Sequence, residues 1–225
     1  MSIAQQVANT ALLISYPSRA AILTVLLDGR FHTASELSML IGVKPQTTSY
    51  HLSKLIEQNM IVVESQGRHR YFGIQNQEIA KTVEALLVLS PPAKIKSLRQ
   101  SREDAAIRYA RTCYDHIAGY VGVQIADTFI QKGYLNLDFS LTAEGEQFLE
   151  EFQVNIKDMK KKRRSFCHKC LDWSERRHHI AGALGLAILE RFLDLGWVVR
   201  QPKTRALSVT AKGKDAIREW LSIDV

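Results

Sequence analysis

The sequence predicts a mainly α-helical protein with small β elements, on three observations. Apolar residues recur at helical spacing through the first 90 residues, interrupted by capping and breaking residues. A hairpin pattern with a basic tip follows the fourth helical stretch. A segment beginning at His116 returns 63 residues later, at His179. The expected organisation is two domains, residues 1–90 and 91–225, the second holding an internal repeat over about 113–152 and 170–221.

The first helix carries Ile3, Val7, Ala11 and Ile14 on one stripe, and Tyr16-Pro17-Ser18 breaks it. Ser18 is the expected cap of a second helix that runs to Leu27 and stops at Asp28-Gly29. Thr33 and Glu36 form a capping-box pattern before a short helix, 34–41, which ends at Gly42. Pro45 starts the next, 46–58. There Leu52, Leu55 and Ile56 make the inward stripe, leaving Gln46, Thr47, Thr48, Ser49, Tyr50, His51 and Lys54 as the expected outward, DNA-reading face.

Residues 61–64, a turn at Ser65-Gln66-Gly67 and residues 68–74 then form the hairpin, with Arg68, His69 and Arg70 at its tip. Helix, tight turn, helix and hairpin in this order describe a winged helix-turn-helix, in which the second helix enters the major groove and the arginines reach the backbone or minor groove. The predicted fold is therefore an N-terminal winged helix-turn-helix plus a C-terminal α/β region of two winged-helix-like halves.

The segments Ser18-Arg19-Ala20-Ala21-Ile22-Leu23, Ala34-Ser35-Glu36-Leu37, Thr48-Ser49-Tyr50-His51-Leu52-Ser53-Lys54-Leu55 and Gly67-Arg68-His69-Arg70-Tyr71-Phe72 resemble the ArsR family of bacterial repressors over roughly residues 5–90. The resemblance implies a homodimer on a pseudo-palindromic operator, with the first helix and the helix after the wing forming the subunit interface. Residues 78–89 supply a fitting stripe in Ile79, Val83, Leu86 and Leu87. The family's metal sensors place cysteines before the recognition helix, or an Asp/His set after the wing; residues 36–40 and 78–84 carry neither set. Any signal must be received elsewhere.

Pro91-Pro92 marks the expected boundary, and residues 95–118 form an expected long helix. The repeat then pairs His116-Ile117-Ala118-Gly119 with His179-Ile180-Ala181-Gly182, and Leu141-Thr142-Ala143-Glu144-Gly145 with Val209-Thr210-Ala211-Lys212-Gly213. Its second copy lacks a polar recognition helix, since residues 181–195 are mostly apolar, so the pair is expected to pack and sense.

The three cysteines, Cys113, Cys167 and Cys170, do not suggest a disulfide framework. Cys113 and His116, three apart on the expected helix, share a face; Cys167 and Cys170 form a CxxC with His179 nearby. The repeat could bring Cys113, His116, Cys170 and His179 together, for a soft divalent metal such as zinc or for thiol redox chemistry; ordinary buried cysteines with capping histidines remain the alternative. Asp172 and Trp173 could line a pocket for an unidentified small effector, or be a solvated helix start and a core anchor. The basic run 160–164 could touch DNA phosphates or simply be solvated.

The 30 Lys and Arg against 23 Asp and Glu, net +7, suit a nucleic-acid partner, but residues 1–90 hold only seven against six. The argument for double-stranded DNA therefore rests on the motif. No GxSxG, P-loop, GxGxxG after a strand or HExxH occurs, so no enzyme is expected. No run reaches the roughly 18 apolar residues of a membrane span, and the start lacks a signal-peptide pattern, so the expected location is the cytoplasm, without a membrane partner. The sequence thus predicts a homodimeric transcriptional repressor released from its operator by a signal at the second domain. The alternative is a metal-handling or redox protein whose winged helix is an interaction module.

Overall fold

A computed structural model describes residues 2–91, 97–154, 156 and 165–225. The basic run 160–164 lies outside the described residues, as does Pro92. Two compact units appear, Met1–Val83 and Glu84–Val225.

In the first unit, helix α1 (Ile3–Ser15) is capped by the Ser2 side chain, which accepts from the Gln5 N–H. Helix α2 (Pro17–Leu26) begins with Pro17 in its first turn and has no side-chain cap, so Ser18 does not play the capping part expected of it. Pro17 accounts for this: its ring presets the helical φ and it lacks the N–H that a cap would satisfy. A short strand, β1 (His32–Thr33), was not anticipated. Helix α3 (Ala34–Ile41) starts with the reciprocal Thr33–Glu36 capping box and ends at Gly42 in the left-handed region. Helix α4 (Pro45–Glu57) follows, then β2 (Ile61–Gln66) and β3 (His69–Ile74), joined through Gly67-Arg68.

The sheet order is β1-β3-β2, all antiparallel, with His32 opposite Phe72 and Val63 opposite Phe72 from the other side. Ile22, Leu23, Leu37, Leu52, Leu55 and Phe72 are buried between the helices and the sheet. Each such side chain contributes on the order of 1.5–3 kcal/mol. Asp28, also buried, accepts from the backbone and Nε of Arg30 and bonds His32 Nε2 at 2.9 Å, which fixes the passage from α2 into β1. Helix α5 (Gln77–Leu89) runs across the division between the units.

The second unit departs from the expected long helix. Helix α6 (Leu98–Tyr109) stops at Ala110, and β4 (Arg111–Cys113) and β5 (His116–Ala118) form a hairpin turned at Tyr114, whose φ is +60°. The side chain of Arg111 is wholly buried against Asp172, which helical continuation would not place there. Helix α7 (Gly119–Gln131) and helix α8 (Ala143–Glu151) complete the first copy. The second copy repeats the order with a hairpin where the first has only a Leu135–Leu141 bridge: β6 (His168–Leu171), β7 (His178–Ala181), helix α9 (Gly182–Asp194), then β8 (Val198–Arg200), β9 (Leu207–Val209) and helix α10 (Ala211–Leu221).

The Thr-Ala-x-Gly motif has a physical basis in both copies. Thr142 caps α8 and Thr210 caps α10 by accepting from the N–H of Gly145 and Gly213, at 3.0 and 2.9 Å. A Cβ on either glycine would lie 2.2 Å from Tyr134 O or 2.0 Å from Trp197 O. The copies also interlock, because α7 packs on β7 and α9 packs on β5. Phe129, Phe148, Phe152, Phe192 and Trp197 join a single core with aliphatic residues of both copies.

Candidate nucleic-acid interface and metal centre

On α4, Gln46, Thr47, Ser49 and Tyr50 are exposed and Lys54 is half-buried, its Nζ 2.7 Å from Glu57 Oε2. Thr48 and His51 do not face outward. Thr48 is fully buried and its Oγ1 donates to Lys44 O at 3.2 Å, satisfying the hydroxyl inside the turn; His51 is buried and its ring lies 6.4 Å from that of Tyr16. Both belong to the inward side because α4 packs against α2 as well as α3, which widens the buried stripe beyond Leu52, Leu55 and Ile56. Burial lowers the His51 pKa, with Arg19 adding to the effect.

Arg68, His69 and Arg70 are exposed at the wing, and Arg70 lies over the Phe72 ring. Helix and wing converge: Ser49 and Ser53 of α4 and Arg68, His69 and Arg70 line one cleft, together with Ser35 of α3. Ser53 and Ser35 were not among the expected contacts; the three- and four-residue spacing from Ser49 and Gln46 could have suggested Ser53.

In the second unit the structure brings Cys113, His116, Cys170 and His179 together. Their ligand atoms all lie within 4.8 Å of one another; Cys113, His116 and His179 are buried and Cys170 is partly so. Cys113 and His116 do not share a helix face. They are direct cross-strand partners in the β4–β5 hairpin, and Cys170 and His179 are partners in the same way in β6–β7. Each hairpin therefore presents one sulfur and one imidazole on the same side. The two sulfurs are 3.9 Å apart and the two Nε2 atoms 3.1 Å apart. Gly122 and Gly185 permit this approach: a Cβ on Gly185 would lie 2.9 Å from His116 Cβ and 2.5 Å from Ile180 O, and one on Gly122 would lie 2.5 Å from Ile117 O.

Each imidazole has a carboxylate behind it. His116 Nδ1 is 3.1 Å from Asp115 Oδ1, and His179 Nδ1 is 3.4 Å from Asp172 Oδ2, the latter at ion-pair range without hydrogen-bond alignment. Asp115 was missed in the sequence, although it stands 57 residues before Asp172 just as Cys113 stands 57 before Cys170. Asp172 is wholly buried in a network of hydrogen bonds. Its Oδ2 accepts from Gly119 N at 2.7 Å and from Arg111 Nη2 at 2.9 Å, and its Oδ1 from Ser174 N and Oγ and from Glu175 N. Burial opposes ionisation of Asp172, yet His179, Arg111 and the Gly119 N–H outweigh it and hold its pKa well below the usual carboxylate range.

The Arg108 and Arg111 guanidiniums sit 5.0 and 4.6 Å from the Trp173 ring. Cys167 stays outside the four-residue cluster, so the CxxC does not act as a unit. Burial, with Asp138, pushes its thiol up to about 12. The hydrogen bond to Cys170 and burial likewise raise the Cys113 thiol. Burial works against a charged His116, but Cys113 and Asp115 prevail and raise its pKa to about 9.

A further ion pair ties this region together. Arg205 pairs with Glu84, and also donates to Thr112 O at 3.3 Å, while the Thr112 N–H donates to Arg205 O at 2.9 Å. Burial raises the Glu84 pKa, but Arg205 and Arg111 bring it below the ordinary value. The strand bearing Cys113 is thereby joined to the residue at which α5 enters the second unit.

A helix-turn-helix domain family matches residues 13–64. The uncharacterized HTH-type transcriptional regulator YdfF of Bacillus subtilis (strain 168) is 48% identical over 222 residues, covering 97% of this chain and 98% of YdfF. The chain belongs to the HTH-type transcriptional regulators. Solved structures are similar to part of this regulator. A homodimeric winged helix-turn-helix DNA-binding domain from Mycobacterium bovis, a possible ArsR-family transcriptional regulator, is 21% identical, covering 39% of the regulator and 80% of that chain at a TM-score of 0.36. The cadmium sensor CMTR of Mycobacterium tuberculosis is 25% identical, with coverages of 40% and 96% and a TM-score of 0.33. No helix among the regulator's described residues is long and apolar enough to cross a membrane.

Proposed function

We propose that this regulator is a homodimeric repressor that reads an operator through α4 and the wing and is released by a signal received in its second unit. The observation that carries this reading is the convergence of exposed polar residues of α4 and the wing arginines on one cleft. Gln46, Thr47, Ser49 and Tyr50 offer side chains to base edges, while Lys54, Arg68, His69 and Arg70 suit phosphates or the minor groove. Thr48 and His51 hold α4 in place from beneath.

Dimerisation is supported by α1, which buries only Leu13 and leaves Ile3 81%, Val7 65% and Leu12 62% exposed. Apolar side chains this exposed suit burial against a second copy. The test is binding of the full chain to its own upstream DNA, with mass by sedimentation. Specific binding as a dimer supports the reading; equal affinity for upstream and unrelated DNA of the same length overturns it.

A further inference from the structure

We propose that Cys113, His116, Cys170 and His179 form a closed tetrahedral site for one divalent cation of the zinc class, and that this cation is the signal-bearing element of the second unit. The latter clause rests on the proposed reading of that unit; the site itself does not.

Four arguments support it. First, the spacing fits. A tetrahedral centre with Zn–S of about 2.3 Å and Zn–N of about 2.0 Å has an S–S edge of about 3.8 Å and an N–N edge of about 3.3 Å. The observed separations are 3.9 and 3.1 Å. Second, the imidazoles are turned for it. Asp115 lies at hydrogen-bond distance from His116 Nδ1 and Asp172 at ion-pair range of His179 Nδ1, so both rings turn their Nε2 atoms toward each other across 3.1 Å, where one cation can take both. Carboxylate behind imidazole is also the usual support of a metal-bound histidine.

Third, the charge balances. Two thiolates and two neutral imidazoles around a divalent cation make a neutral assembly, the thiol protons and the proton held between the imidazoles passing to solvent. A neutral centre avoids the desolvation cost that a monovalent or trivalent ion would leave in this buried place. Fourth, all four positions are filled by protein, which suits a structural or regulatory centre rather than a catalytic one. The two hairpins are the elements such an ion would lock together. Through Thr112 and Arg205 the Cys113 strand is joined to Glu84 on α5, a physical route by which occupancy could bear on the helix that leads to the DNA-binding unit.

The test uses the untagged full chain. Cobalt(II) added to chelator-treated protein should give thiolate-to-cobalt charge transfer and intense tetrahedral ligand-field bands, saturating at one equivalent and displaced by zinc. Cys113→Ser and Cys170→Ser should each lose part of the charge-transfer intensity, and His179→Gln should weaken the ligand-field bands. Cys167→Ser should leave the spectrum unchanged and so serves as the folded control. Octahedral cobalt spectra, no binding near stoichiometry, or a Cys113–Cys170 disulfide in freshly prepared protein that resists metal after reduction would overturn the site. Operator binding measured on the same samples separates the two layers. A change of tenfold or more between metal-free and zinc-loaded protein is expected. Unchanged DNA affinity with a saturated site overturns the signalling role alone, whereas absent DNA binding in both states overturns the repressor reading and leaves the site standing.

Discussion

Arg111 and Asp172, 61 residues apart in the chain, form an ion pair at 2.9 Å in which both side chains are wholly buried. One carboxylate oxygen of this pair also takes the Gly119 N–H and stands behind His179, so the pair joins the two hairpins and backs the imidazole of the second. Buried charges of this kind are kept only where partners saturate them.

Arg111→Leu is expected to destabilise the second unit by about 3–5 kcal/mol, because Asp172 would keep its charge in a buried place without its guanidinium partner. Denaturant unfolding of the full chain, followed by the tryptophan fluorescence of Trp173 and Trp197, checks this. A loss below about 1 kcal/mol would mean that the pair is solvated in solution.

Asp115→Asn and Asp172→Asn each remove a carboxylate behind a ligand imidazole. Zinc affinity should fall by about 10- to 100-fold in each, as is usual for such supporting groups. Competition against a chromophoric chelator measures the change. Asp138→Asn, which leaves both carboxylates behind the imidazoles in place, should leave the affinity as it is.

Gln46→Ala or Ser49→Ala should cost about 1–3 kcal/mol on the preferred operator and relax one base position. Arg68→Ala should weaken all DNA sequences alike and flatten the dependence of affinity on salt by roughly one unit of slope. Fluorescence anisotropy over a salt series separates the two patterns.

Thr48→Val removes a hydroxyl whose partners are the carbonyls of Val43 and Lys44 inside the fold. It should lower stability by about 0.5–1.5 kcal/mol and leave the base preferences of the surviving folded protein unaltered. An altered sequence preference, measured by selection from a randomised operator pool, would return Thr48 to the reading face.

Asp28 governs an acid response of the first unit. Burial raises its pKa, but the hydrogen bond and charge of His32, with Arg30, bring it below 3.8. A depressed folded value means that its stabilising effect is complete above the unfolded pKa and is lost as pH falls through the folded one. Asp28→Asn should therefore be less stable than the parent at neutral pH, with the difference shrinking as pH falls below 3.8. Urea midpoints across that range give the measurement.

Much of the first unit was legible because its signals are short-range. The Thr33–Glu36 box, Gly42, Pro45 and the alternation around Gly67 act within a few residues of themselves, so the chain order alone predicts α3, α4 and the wing. The strand at His32–Thr33 was hidden, since two residues carry no periodicity and only Phe72 and Tyr71 across the sheet make them a strand.

By itself, the sequence determined the helix-turn-helix with its wing, the internal repeat, and the set of Cys113, His116, Cys170 and His179, because spacing and self-similarity are properties of the chain. Tertiary structure alone decided how these are used. It turned Thr48 and His51 inward, and it made Cys113 and His116 partners across a hairpin in place of neighbours on a helix. It also set Cys167 aside and buried Arg111 against Asp172. Each of these outcomes depends on what another part of the chain, tens of residues away, places alongside: a buried charge is tolerable only where a partner arrives, and two hairpins form one site only where glycines let their backbones meet.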